Sequence, residues 1–64
     1  MEAVMVTEGR IVIEHDGVDY IFAVDRELGN WRVEEDFDGI TIKASSKNLD
    51  GLVSNLQGAM KRKL

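Results

Sequence analysis

The chain has no cysteine and a single histidine, His15. Disulfides and thiolate metal sites are therefore excluded, and a zinc site within one chain has too few ligands. No cofactor is expected. No apolar run approaches the ~18 residues of a membrane span. The N-terminal Met-Glu-Ala-Val-Met-Val-Thr-Glu lacks the basic segment and long apolar stretch of a signal peptide. A cytoplasmic location without membrane contact is the expectation. Positive charge is also scarce: 8 Lys and Arg face 12 Asp and Glu, a formal net charge of −4 that argues against a general nucleic-acid binder. Length is scarcest of all. A chain of 64 residues lies near the lower limit for one hydrophobic core. With disulfides and metals gone, burial against another subunit or partner is the usual supplement.

What is present is a strong hairpin signal. Asp16-Gly17 separates two alternating stretches, Arg10–His15 and Val18–Asp25. Asp-Gly suits a type I′ turn, which needs positive φ at both central positions. A two-residue turn sets His15 opposite Val18, Ile13 opposite Tyr20 and Ile11 opposite Phe22. Side chains alternate between faces, so these residues and Val24 share a core face, while Arg10, Val12, Glu14, Asp19, Ile21 and Ala23 share the other.

The same reading extends both ways. A tight Glu8-Gly9 turn sets Val6 opposite Ile11 and Met5 opposite Val12; the alternative is one strand broken by a bulge at Gly9. Arg26–Asn30 reads as a loop, Trp31–Asp36 as a strand, and Asp38-Gly39 as a second tight turn. That turn sets Phe37 opposite Ile40, Glu35 opposite Ile42 and Val33 opposite Ala44. Glu35 is a misfit on the core face, to be explained by a bulge or a place at the sheet margin. After Ser45 and Ser46, which offer N-cap hydroxyls, the period changes from two to 3.6. Leu49, Leu52, Val53, Leu56, Ala59, Met60 and Leu64 form one helical stripe.

The expected fold is a single α+β domain over residues 1–64. It comprises an antiparallel meander of four or five strands with one C-terminal amphipathic helix on one face. Its expected core is Ile11, Ile13, Tyr20, Phe22, Val24, Trp31, Val33, Ile42, Leu49, Leu52, Val53, Leu56 and Met60.

Chemistry-bearing residues are few. Glu34, Glu35, Asp36 and Asp38 form the densest charge cluster. They suit a basic partner or, as a solvated hairpin end, protection of a β edge. A calcium loop fails because the twelfth position from Glu34 is Ser45 instead of glutamate. Lys61, Arg62 and Lys63 complement the dipole at a helix C-terminus; the alternative is phosphate contact, assisted by Lys43 or Lys47. His15 with Ser45, Ser46 or Ser54 draws a triad only on paper, because no serine lies in a nucleophile elbow. Val12, Ile21 and Ala23, with Met5 beside them, form an apolar strip on the face the helix leaves open. Such a strip, rimmed by Arg10, Glu14 and Asp19, suits contact with another protein or a second copy in a weak homodimer.

The segment Ile40–Leu64, a strand followed by Ser46-x-x-Leu49-Asp50-x-Leu52 and a helix, resembles the sheet-then-helix half of HicB-type antitoxins and several small phage regulators. The resemblance covers about two-fifths of the chain and carries no functional residue across. Short, acidic, cysteine-free chains of this kind are also frequent among phage and mobile-element proteins that bind and inhibit host machinery, and the expectation of a regulator or inhibitor of that type rests on this association. The expectation is a non-enzymatic protein-binding module using the acidic hairpin end (Glu34, Glu35, Asp36, Asp38) and the apolar strip. The alternative is a nucleic-acid-associated module using Lys61, Arg62 and Lys63.

Overall fold

Glycine at the second position of each tight turn governs how this chain folds back on itself. In the computed structural model, which describes residues 3–64, β1 (Ala3–Thr7), β2 (Arg10–His15), β3 (Val18–Glu27), β4 (Asn30–Phe37) and β5 (Ile40–Ser46) precede α1 (Leu49–Lys63). Met1 and Glu2, where the signal-peptide reading begins, lie outside the described residues. The strands form one antiparallel five-stranded sheet in sequence order. At three turns both central residues take the positive φ of a type I′ turn: Asp16 at 54° with Gly17 at 77°, Leu28 at 51° with Gly29 at 81°, and Asp38 at 56° with Gly39 at 86°. The registers follow from these turns, with Ile13↔Tyr20 and Ile11↔Phe22 in one hairpin and Glu35↔Ile42 and Val33↔Ala44 in the other. Thr7↔Arg10 closes a two-residue turn at Glu8-Gly9, so β1 is a separate strand and Gly9 is not a bulge.

Two boundaries differ from expectation. Arg26–Asn30 is not a loop: β3 runs on to Glu27, Leu28-Gly29 makes the turn, and Arg26 pairs with Trp31. The Arg26 guanidinium lies 4.8 Å from the centre of the Trp31 ring, a cation–π contact that extends the ladder. The helix cap is not Ser45 or Ser46, because both remain in β5, where Ser46 pairs with Trp31. Asn48 caps instead, its Oδ1 accepting the Gly51 N–H at 2.7 Å. Ser46 Oγ in turn accepts the Asn48 N–H at 3.5 Å. Gly51 is thereby explained: a Cβ there would run into Ser46 Oγ.

The helix stripe packs on the inner face of the sheet, with α1 closest to β5 and β4. Ile11, Ile13, Phe22, Val33, Ile42, Leu52, Leu56, Ala59 and Met60 are buried; Tyr20, Val24, Trp31, Leu49 and Val53 pack against them half-buried. Trp31 is thus a flank of the core and not its centre. Phe37 closes a second flank, its ring 5.1 Å from Tyr20 and 5.3 Å from Phe22 in near-perpendicular contacts. Glu35 is half-buried in an unbroken ladder, so the margin explains it and a bulge does not. Core-face residues beyond the helix stay open, with Val4 39%, Val6 47%, Val18 52% and Ile40 36% exposed.

Two tests follow from the helix and the core. Gly58→Ala should gain up to ~1 kcal/mol of stability, because its Cβ meets only Arg62 Nη1 at 3.6 Å. Gly51→Ala should lose stability despite the same propensity gain; urea midpoints that move in the same direction for both would refute the cap geometry. Phe22→Ala should cost about 3–5 kcal/mol and unfold the domain, whereas Trp31→Ala should cost about half as much and leave a measurable melting transition.

Candidate functional site

The candidate residues gather on the outer face, opposite the helix. The row Met5↔Val12↔Ile21 crosses three strands, with Ala23 pairing Arg10 in the next outer-face row. Met5 is 61% and Ile21 53% exposed, Ala23 is exposed and Val12 is half-buried between them. The expected apolar strip is therefore a continuous surface that reaches the β1 edge.

Beside it the sheet opens. Strand β3 pairs with β2 through residues 18–23 and with β4 only through residues 24–27. Past Val33, β4 leaves the β3 ladder while keeping its pairing with β5. The divergence leaves a depression of about 510 Å³ lined by Asp25, Arg32, Glu34, Glu35, Asp36 and Thr41. Strand alternation divides the acidic run: Glu34 and Asp36 join Asp25 on the outer face, Glu35 turns toward Ile42, and Asp38 occupies the turn. Of the four residues grouped by sequence adjacency, Glu34, Glu35 and Asp36 line the depression together with Asp25, and Asp38 stands apart in the turn.

Arg32 lines the same depression. Its Nη2 donates to Glu34 Oε1 at 2.9 Å, and its Nη1 lies 3.5 Å from Glu27 Oε2. All three side chains are at least half exposed, so these pairs contribute little to stability. Their effect is on charge: Arg32 answers Glu27 and Glu34 at one end, while Asp36 lies two residues further along β4.

Leu28 was not anticipated. It has φ 51° at the β3–β4 turn and is 95% exposed. A left-handed conformation disfavours a γ-branched residue, and nearly full exposure gives it no packing in return. Leu-Gly is not a turn signature, which is why the segment reads as a loop. A smaller depression of about 270 Å³ lies beside it, lined by Glu27, Leu28, Asn30, Arg32 and Ser45. This places the turn end next to the acidic depression.

The remaining candidates do not converge. Lys61, Arg62 and Lys63 are exposed and consecutive, so the helix fans them through about 200° instead of stacking them on one side. Lys43 lies opposite Glu34 on β5, and Lys47 precedes the helix. His15 is half-buried with its ring edge-on to Tyr20 at 6.3 Å, and it lines a groove of about 480 Å³ with Ser54, Gln57, Gly58 and Lys61. Among the described residues no three His, Cys, Asp or Glu side chains group as a metal site, and no helix is long and apolar enough to cross a membrane.

Comparison with family models, curated proteins and solved structures finds no match to this chain. The likeness of Ile40–Leu64 to HicB-type antitoxins stays one of residue pattern. Geometry alone carries the functional argument.

If Leu28 is held under strain at the turn, Leu28→Asn should raise stability by about 1 kcal/mol, since Asn tolerates the left-handed region and Asn-Gly is the preferred type I′ pair. Urea denaturation measures this directly. A loss of stability would mean that Leu28 packs in a way its exposure denies.

Proposed function

We propose that this chain is a non-enzymatic protein-binding module, a small regulator or inhibitor that docks a partner on its outer face. The observation that carries the reading is the side-by-side arrangement on that face. An apolar row, Met5–Val12–Ile21 with Ala23, adjoins a depression walled by Asp25, Glu34 and Asp36. Exposed apolar surface bordered by charge suits a protein contact whose centre excludes water and whose rim selects charge. The partner surface that fits is apolar with a basic flank. Leu28, offered at the adjoining turn, would supply an anchor residue, which gives its strain a purpose. The protein acts by occupying its partner's surface, with no chemical step.

The experiment is affinity capture from the source organism, read by mass spectrometry, with wild type, Ile21→Lys, Leu28→Asn and Glu34→Gln/Asp36→Asn in parallel. A partner held by wild type should be lost with Ile21→Lys and weakened by Leu28→Asn, although the latter folds more stably. The double amide should slow association about tenfold or more at low salt, and the difference should shrink as salt rises. Partner binding indifferent to all three variants would overturn the reading. Salt-dependent DNA or RNA binding that disappears on replacing Lys61, Arg62 and Lys63 would establish the nucleic-acid alternative instead.

A further inference from the structure

The two edges of this sheet are unlike. On β5 the Asp38-Gly39 turn closes on the hydrogen-bonded pair Phe37↔Ile40, and such pairs alternate along the ladder. Ile42, Ala44 and Ser46 are thereby bonded to β4, and Thr41, Lys43 and Ser45 turn their backbone groups outward. That edge is managed: Lys43 places a charge on it, and the Asn55 Nδ2 of α1 donates to the Ser45 carbonyl at 3.0 Å.

Among the described residues, strand β1 has no such protection. The Val24 N–H donates to the Gly9 carbonyl at 2.9 Å, which fixes the alternation in β2. Gly9, Ile11 and Ile13 bond toward β3; Arg10, Val12 and Glu14 bond toward their β1 partners Thr7, Met5 and Ala3. Val4 and Val6 are left with N–H and C=O facing the open edge. The strand reads Ala-Val-Met-Val-Thr, without charge, proline or bulge, and Val4, Met5 and Val6 are 39%, 61% and 47% exposed. An uncharged, apolar, unbulged edge is a template for another strand.

We propose that a second copy of this chain occupies that edge, pairing β1 antiparallel with itself about a two-fold axis through Met5. The strand is self-complementary in that register, because a small residue and a valine flank Met5 on each side. Val4 of each copy meets Val6 of the other as a hydrogen-bonded pair, satisfying all the outward groups of both residues. Centring on Val4 or Val6 instead leaves one such pair within the strand. Met5 meets its own copy, so the row Ile21–Val12–Met5 continues into its symmetry mate as six apolar side chains on one ten-stranded sheet. The axis is normal to the sheet, so both helices lie on the same face of it. A contact between two five-residue edges falls below the ~1,200 Å² of a stable interface, so the dimer is concentration-dependent.

The test is sedimentation velocity of the full chain from about 10 μM to 1 mM, a range that brackets weak association, with amide exchange by NMR on the same samples. Wild type should shift from monomer to dimer, and the Val4 and Val6 amides should become protected as concentration rises, while the Met5 amide is protected throughout. Val6→Pro removes only an outward N–H and Met5→Lys sets like charges on the axis; each should abolish the shift. Met5 is largely exposed, so Met5→Lys keeps its fold even if the proline does not. Ile21→Lys, two strands from the edge, should dimerise like wild type, which separates this edge from the outer-face docking proposed above. A monomer at the highest concentration, or a dimer untouched by both edge variants, would overturn the inference.

Discussion

A single helix, about 10 Å across, has to cover a sheet of five strands spaced about 4.8 Å apart, a width of roughly 19 Å. Most of the molecule's character follows from that mismatch. The helix buries Ile11, Ile13, Phe22, Val33 and Ile42 together with its own Leu52, Leu56, Ala59 and Met60. The shortest dimension, 16 Å, matches one sheet plus one helix, and no second helix among the described residues covers the outer face. At the margins the inner face is open as well, and valines that alternate correctly for a core, Val4, Val6 and Val18, stay in solvent. For a chain this small, without disulfides or a metal site among its described residues, those margins are where additional burial is available.

Sheet curvature and surface chemistry are linked through β3. Because it serves β2 with one half and β4 with the other, the strands on either side diverge, and rings fill the inner side of the gap. Phe37 against Tyr20 and Phe22 is that filling. On the outer side the same divergence is left to carboxylates. One packing decision thus creates both the aromatic flank of the core and the acidic depression.

The local exceptions lie on the surface. Asp16 and Asp38 take left-handed conformations that short polar side chains accept, whereas Leu28 takes one without packing to compensate it. At the two edges, β5 is closed by Lys43 and by Asn55 from the helix, and β1 carries only small and apolar residues. Neither Leu28 nor β1 is explained by the stability of one chain. Both are the kind of exception expected where a protein meets something else.

Much of this fold was legible in the residue order. Asp-Gly turns fix register because only certain residues accept positive φ, and register fixes faces because strand periodicity is two; hence Ile11, Ile13, Phe22 and Ile42 were assignable to the core without coordinates in three dimensions. The 3.6-residue stripe from Leu49 to Met60 was equally local. What lay beyond the sequence were facts set by distant neighbours. Arg26 stacks on Trp31 across the ladder beside the Leu28-Gly29 turn, and with Ser46 paired to Trp31 in the strand the cap falls to Asn48. Trp31 looked central by size, yet it is only half-buried where Phe22 is fully buried. Glu34, Glu35, Asp36 and Asp38 looked like one cluster by adjacency; the first three do line one depression, but Asp38 stays in the turn and Asp25 joins from another strand. Local sequence determines where a chain turns and which face each residue takes; which faces are then covered depends on how far one helix reaches, and that is a property of the assembled structure.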